Sequence, residues 1–293
     1  MKDMINLDQF KAGANFKLND YSTKLAHPYS KDQAQAQLSD VRKDLARFQE
    51  RLFAHGGHSV LVCFQGMDTS GKDSLIREVF EKFNVRGVIQ HSFKVPTSLE
   101  LSHGYLWRHY IALPQKGTFG IFNRTHYENV LVTRVHPEYL LAENLPDVKR
   151  PEDADAEFWE MRFEQINNFE KELTQNGTIV FKFFLNLSKE EQKNRLLRRL
   201  NTPEKNYKFS AGDIKERKLW DDYMHAYEQA ISNTSKEHAP WYVIPADDKA
   251  NARLLVAQIM DQRLSHYDHI QEPELSPEEI KELKGFVSSL ENE

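Results

Sequence analysis

Short apolar or β-branched runs alternate with amphipathic stretches along most of this chain. Runs at 59–64, 88–93, 118–123, 178–185 and 241–245 are each bounded by Gly, Pro, Asn or Asp, and they read as buried strands. Helical patterns lie between them. Residues 97–111 open with Pro96 and the capping box Thr97-x-x-Glu100. Phe158, Trp159, Phe163, Ile166, Phe169 and Leu173 form one apolar stripe, closed by Asn176-Gly177. A second box, Ser188-x-x-Glu191, starts an arginine-rich helix. The first 57 residues hold no strand; their helix, from about Lys31 to Ala54, is expected outside the sheet or against a neighbouring subunit. Such alternation predicts an α/β protein with a five-stranded, mostly parallel sheet flanked by helices, binding ligands at the carboxyl ends of its strands. The expected organisation is a helical extension over 1–57, an α/β domain over 58–265 and an acidic helix or tail over 266–293.

Composition narrows the class. With 293 residues, 40% of them hydrophobic and 18 of them Phe, the chain can bury one large core. No apolar run approaches the roughly 18 residues of a membrane span, and Met1-Lys2-Asp3-Met4-Ile5-Asn6 does not read as a signal peptide. The single Cys63 excludes an intrachain disulfide and suits a small buried hydrophobe in a cytoplasmic protein. Net charge is −5, unevenly spread: residues 182–218 carry eleven Lys or Arg against five acids, whereas 268–293 carry eight acids against two lysines. The basic segment lacks interleaved aromatic platforms, which argues against a nucleic-acid partner.

The chemistry starts at Gly66-Met67-Asp68-Thr69-Ser70-Gly71-Lys72, between the first strand and an amphipathic helix. Glycines five apart with a lysine after the second form a phosphate cradle, in which backbone amides and a helix N-terminus converge on an anion. The Ser or Thr that normally follows the lysine and holds Mg²⁺ is Asp73 here, and Asp68 puts a second acid in the loop. Strand three ends in Asn123-Arg124-Thr125-His126-Tyr127-Glu128. An acid commonly ends such a strand and holds the metal, so Asn123 is a neutral, weaker ligand. Arg124 is placed to neutralise phosphoryl oxygens. Glu128 either positions metal or substrate, or caps a helix by accepting from the Thr125 backbone N–H; His126 is either a base or a hydrogen-bonded helix-start residue. Arg195 and Arg199 share one helix face, with Arg198 beside them. Residues 201–213 break the helix, and Lys205 and Lys208 there suit either a mobile cover over phosphates or an ordinary exposed loop. Trp220, Tyr223 and Tyr227 recur at helical spacing and read as core.

Taken together, the loop 66–72, the run 122–128, Ser188-Lys189-Glu190-Glu191-Gln192, the set Arg195, Arg199, Lys208 and Asp213, and the stretch 239–246 resemble the polyphosphate kinase 2 family over about residues 30–265. The resemblance implies a three-layer, thymidylate-kinase-like P-loop fold with a helical lid at about 195–218. It further implies a homo-oligomer (dimer or tetramer) that uses Mg²⁺ or Mn²⁺ to transfer phosphoryl groups from inorganic polyphosphate to purine nucleotides. AMP would become ADP and ADP would become ATP, with GMP and GDP as further acceptors. On the family's pattern Asp68, Lys72, Arg124 and Glu128 are catalytic. Gly66, Thr69, Ser70, Gly71, Lys72, Asp73, Arg124, Arg195, Arg199 and Lys208 hold polyphosphate, and Asp68, Glu128 and Asn123 hold the metal. Many relatives have aspartate where this chain has Asn123, and the Asn-Arg-Thr-His-Tyr-Glu variant resembles the subgroup that accepts both mono- and diphosphates, with Glu128 taking over part of the aspartate's role. The rival readings are an ATP-dependent nucleoside or nucleotide kinase of the same fold, and a non-catalytic nucleotide-binding regulator. The absent Ser/Thr after Lys72 and the lysine-rich lid weigh against the first; the second leaves the arginine cluster idle.

Overall fold

Strand β1 (Ser59–Gln65) is buried along its whole length, and its alternating side chains supply both faces of a sheet. Val60, Val62 and Phe64 point to one layer of helices, and Leu61 and Cys63 to the other. In the computed structural model, which describes residues 5–13, 15–204 and 211–293, β1 is the centre of a five-stranded sheet. The order is β2 (Val88–Ser92), β3 (Phe119–Asn123), β1, β4 (Thr178–Asn186) and β5 (Trp241–Pro245), and every pairing is parallel. Register brings the carboxyl ends level: Asn123 stands opposite Phe64 and Ser92, and Gln65 opposite Phe184. The chain turns outward in both directions from β1, so the crevice above it is the switch point where α/β sheets bind ligands.

One helical layer comprises α1 (Lys31–His55), α2 (Lys72–Val79) and α10 (Lys249–Leu264); the short helices α3 (Ser98–Leu101) and α4 (Trp107–Tyr110) lie between β2 and β3 in the chain. The other contains α5 (Glu128–Val135), α6 (Ala156–Gln175) and α9 (Trp220–Thr234). Helices α7 (Lys189–Leu200) and α8 (Ala211–Lys218) stand at the carboxyl edge, and α11 (Pro277–Glu291) ends the chain with no buried residue. Trp220, Tyr223 and Tyr227 are core residues, as expected.

Three local expectations change. Helix α1 covers a face of the sheet, burying Ala34, Leu38, Leu45, Phe48 and Leu52 in the main core instead of packing outside it. The stretch 97–111 is not one helix. Its capping box forms, with Glu100 N–H donating to Thr97 Oγ1 at 3.3 Å and Thr97 N–H to Glu100 Oε2 at 2.6 Å. Ser102 Oγ and His103 Nδ1 then both bond the Leu99 carbonyl, at 2.7 and 2.9 Å, so local side-chain bonds replace the helical ladder before Gly104. The box at Ser188 is half formed: Ser188 Oγ accepts from Glu191 N–H, while the Glu191 carboxylate turns to Arg195 and Arg198.

Candidate active site

The glycines of the loop are required by its geometry. A Cβ on Gly66 (φ +153°) would lie 3.1 Å from both Cβ and the carbonyl oxygen of Leu185 on the neighbouring strand, and Gly71 (φ +105°) is the left-handed N-cap of α2. Two non-glycine residues at the same edge are also left-handed, Thr69 (φ +64°) and Arg124 (φ +59°). Such conformations persist only where the surroundings over-determine them, and they concentrate at functional sites. Thr69 Oγ1 is buried and has no hydrogen-bond partner among the described residues.

Lys72 arches back across the loop, its ammonium donating to the Gly66 carbonyl at 2.5 Å and approaching that of Met67 at 3.4 Å. Burial, and then Arg124, lower its pKa, against the pull of Asp68, Glu128 and Asp73. The loop and the end of β3 meet at Arg124: its guanidinium donates to Asp68 Oδ1 at 2.9 Å and lies 3.6 Å from Glu128 Oε2. Burial works against the charge on Arg124, but Glu128 and Asp68 outweigh it and move its pKa up. Its side chain keeps 43% of its surface, so the charge remains open to a ligand. Tyr227 closes the floor from α9; burial and then the Glu128 carboxylate drive its hydroxyl well above the ordinary value.

The structure thus brings together Asp68, Lys72, Arg124 and Glu128 at one strand edge. The capping alternative for Glu128 is not realised. Thr125 Oγ1 accepts from Tyr127 N–H and from Gln65 Nε2, while the Glu128 carboxylate faces Arg124. Asn123 and Asp73 hold each other: the Asn123 amide donates to Asp73 Oδ1 at 2.6 Å, so the residue expected as a metal ligand anchors the acid in the Ser/Thr position. His126 is no base, because it is fully buried, bonded to Glu170 at 3.1 Å, and pushed down in pKa by burial.

Arg195 requires a correction. It was expected over the phosphates, yet it lies beneath the loop and only 5% of it is exposed. Its guanidinium donates to the carbonyls of Thr69 (3.1 Å), Ser70 (2.8 Å), Ala246 (2.6 Å) and Asp247 (3.0 Å), and to Glu191 (2.9 Å). Those bonds spend its donors on backbone, tying the phosphate loop to α7 and to the turn after β5. Gln192 adds a bond to the Asp68 carbonyl at 3.1 Å. Of the expected lid, Arg199 pairs with Asp213 at 3.0 Å across the helical break, whereas Lys205 and Lys208 lie outside the described residues.

Sequence reasoning passed over Lys249. It opens α10 beside Gly71, its Cε 3.9 Å from where a Cβ on that glycine would sit. Although the residue is exposed, desolvation along its stem, with Arg195, Arg198 and Arg253 around it, holds its pKa down to about 8. Its position just after the fifth strand, at the ligand-binding edge, was the one available signal. Arg108 was missed as well: it bonds the Lys94 carbonyl at 2.9 Å, lies 3.5 Å from Glu100, and feels the Glu128 charge.

Among the described residues no three acidic, histidine or cysteine side chains gather around one point. Asp68 and Glu128, both on Arg124, are hard oxygen donors, and Mg²⁺ is commonly held by one or two carboxylates completed by water and substrate phosphate. The donor set therefore fits that ion.

Residues 28–272 match the family model described as Polyphosphate kinase 2 (PPK2). An ADP-polyphosphate phosphotransferase from Rhodopseudomonas palustris is 44% identical over 282 residues, covering 95% of this chain and 96% of the relative. An AMP/ADP-polyphosphate phosphotransferase from Meiothermus ruber is 46% identical over 227 residues, covering 78% and 79%. The crystal structure of Polyphosphate Kinase 2 from Arthrobacter aurescens aligns with a TM-score of 0.86 at 36% identity, over 96% of each chain.

Proposed function

The chain belongs to the polyphosphate kinase 2 family, and from that premise we propose that it transfers the terminal phosphoryl group of inorganic polyphosphate to AMP and to ADP. The observation that carries this reading is the convergence of Lys72 and Asp68, from the loop, with Arg124 and Glu128, from the end of β3. The polymer end lies along the loop amides, and Lys72 exchanges the Gly66 carbonyl for phosphate oxygens. An acceptor phosphate oxygen attacks the terminal phosphorus in line, and the bridging P–O bond breaks. Its electron pair stays on the chain, now one unit shorter. This reaction asks the protein for positioning and charge neutralisation, which Lys72 and Arg124 supply through cations already poised among carboxylates.

Asp68 and Glu128 would hold Mg²⁺ or Mn²⁺, which when bound neutralises phosphate charge; Asn123, already bonded to Asp73, is a secondary ligand at most. Acceptance of GMP and GDP accords with a site whose identified groups face phosphates. Arg199 and Lys208 would close over the polymer, with Thr69, Ser70 and Asp73 lining the loop, while Arg195 acts from behind it. We also read the protein as a cytoplasmic homo-oligomer. The exposed apolar residues of α11, Ile280, Leu283, Val287 and Leu290, support subunit association, and no helix among the described residues is long and apolar enough to cross a membrane.

Phosphorus NMR of polyphosphate with AMP, ADP, GMP or GDP, with and without Mg²⁺ and with no ATP present, tests the reading. Nucleotide di- and triphosphate signals should grow as the internal polyphosphate signal declines. An intact polymer, with nucleotide phosphorylated only when ATP is supplied, would instead establish the ATP-dependent rival.

A further inference from the structure

Lys182 is an unusual residue for the middle of a central strand. It has no exposed surface, and neither has its partner Glu170 on α6. The Lys182 ammonium donates to Glu170 Oε2 at 2.6 Å, to Tyr127 Oη at 2.9 Å and to the Thr234 carbonyl at 2.7 Å. Glu170 Oε1 accepts from Tyr127 Oη at 2.7 Å and from the His126 ring at 3.1 Å. The pair is therefore fully satisfied and fully dry. Stability does not explain it, because a buried ion pair recovers little more than its desolvation, and well-packed apolar residues commonly do as well.

The location of the network points to its use. His126 and Tyr127, which it grips, stand between Arg124 and Glu128 in the chain. Arg124 is left-handed and has to be held so by its surroundings. We propose that the Glu170–Lys182 pair is a positioning device that, through His126 and Tyr127, locks the turn presenting Arg124 and Glu128 to the phosphates. Neither residue touches substrate. Their effect passes through the backbone of 125–128, and a slack turn would leave the two clamp residues present but misplaced. The inference rests on the phosphotransfer reading above.

The test is the double variant Glu170→Gln, Lys182→Met, which removes both charges together, with Tyr127→Phe as a milder companion that removes one donor and no charge. Melting temperature, kcat and the KM values for polyphosphate and AMP are measured on each. The double variant leaves the buried Thr234 carbonyl without its donor, so its melting point should fall by several degrees, but well below that point kcat should still be at least tenfold down at little-changed KM, and Tyr127→Phe should lose several-fold in kcat. Parental kcat in a folded double variant, or a kcat loss that disappears on cooling below a lowered melting point, overturns the proposal. If the double variant does not fold, Tyr127→Phe decides by the same kcat criterion. An unmutated protein that leaves polyphosphate intact would defeat the functional reading itself, whereas an active parent with an equally active double variant defeats only this inference.

Discussion

Arg195→Met separates a strut beneath the phosphate loop from a clamp above it. Methionine keeps the apolar stem but removes every donor. Two of the abandoned carbonyls, Ser70 and Ala246, accept in buried bonds; the bonds to Thr69 and Asp247 are only partly buried, so water can replace them. An unpaired buried acceptor costs about 1–3 kcal/mol, so the two buried ones together remove roughly 2–6 kcal/mol. At about 2–4 °C per kcal/mol for a domain of this size, with about 4 kcal/mol as the central value, the melting temperature should fall by about 8–16 °C. Arg124→Met should do the reverse. Its half-exposed ion pairs contribute about 0–1 kcal/mol to stability, yet its charge faces the reacting phosphates, so kcat should drop by about 10²–10³ with the melting point nearly unmoved. Differential scanning calorimetry and coupled-assay kinetics on both variants form the experiment. An Arg195→Met protein that melts within about 2 °C of the parent and shows only a raised KM for polyphosphate would refute the strut assignment.

Further expectations concern the loop and its edge. Lys72→Ala should reduce kcat by on the order of 10²-fold, about 3 kcal/mol, in a polyphosphate-to-AMP assay; near-parental turnover would remove Lys72 from the mechanism. Because Lys249 titrates at about 8, a bound polyanion favours its protonated form. Polyphosphate affinity should therefore weaken as pH rises through about 8, and Lys249→Arg should flatten that profile in calorimetric titrations. Asn123→Asp sets a carboxylate against Asp73, where the amide now donates at 2.6 Å. One of the two carboxyls then takes a raised folded pKa, so in EDTA the stability deficit should grow as pH rises from about 4 to 7 and should vanish when Asp73→Asn is added. A deficit independent of pH would mean that the Asn123–Asp73 contact is not electrostatic in origin.

Much of the fold was legible because it is written in local patterns. Each strand run, from 59–64 to 241–245, matches an observed strand to within a residue at either end. Four of the five are buried on both faces and need apolar side chains on both, a signature that requires no partner to be recognised; β2, read as buried, is instead a largely exposed strand at the sheet edge. The helix over 97–111 failed for a reason of the same local kind: Ser102 and His103 compete for a carbonyl that propensity alone assigns to the helix. The site was legible where backbone geometry demanded a residue type, as at Gly66 and Gly71, and less so where a charged side chain had a choice of partners. Arg195 and Arg199 look equivalent in sequence, four apart on one helix. In the fold the first is sealed against the backbone of 69–70 and 246–247, while the second reaches Asp213 across a break.

By itself, then, the order of residues determined the alternating strands and helices, the phosphate loop and the kinds of charge gathered at its edge, since each depends on neighbours within a few positions. Only the tertiary structure decided which charge does what. The partners in question, Asp68 with Arg124, Asp73 with Asn123, and Thr69 and Ser70 with Arg195, are separated by 50 or more positions. Parallel pairing of β1 with β3 and β4 brings those segments to one edge, and burial there determines whether a cation is consumed by carbonyls or left to meet a phosphate.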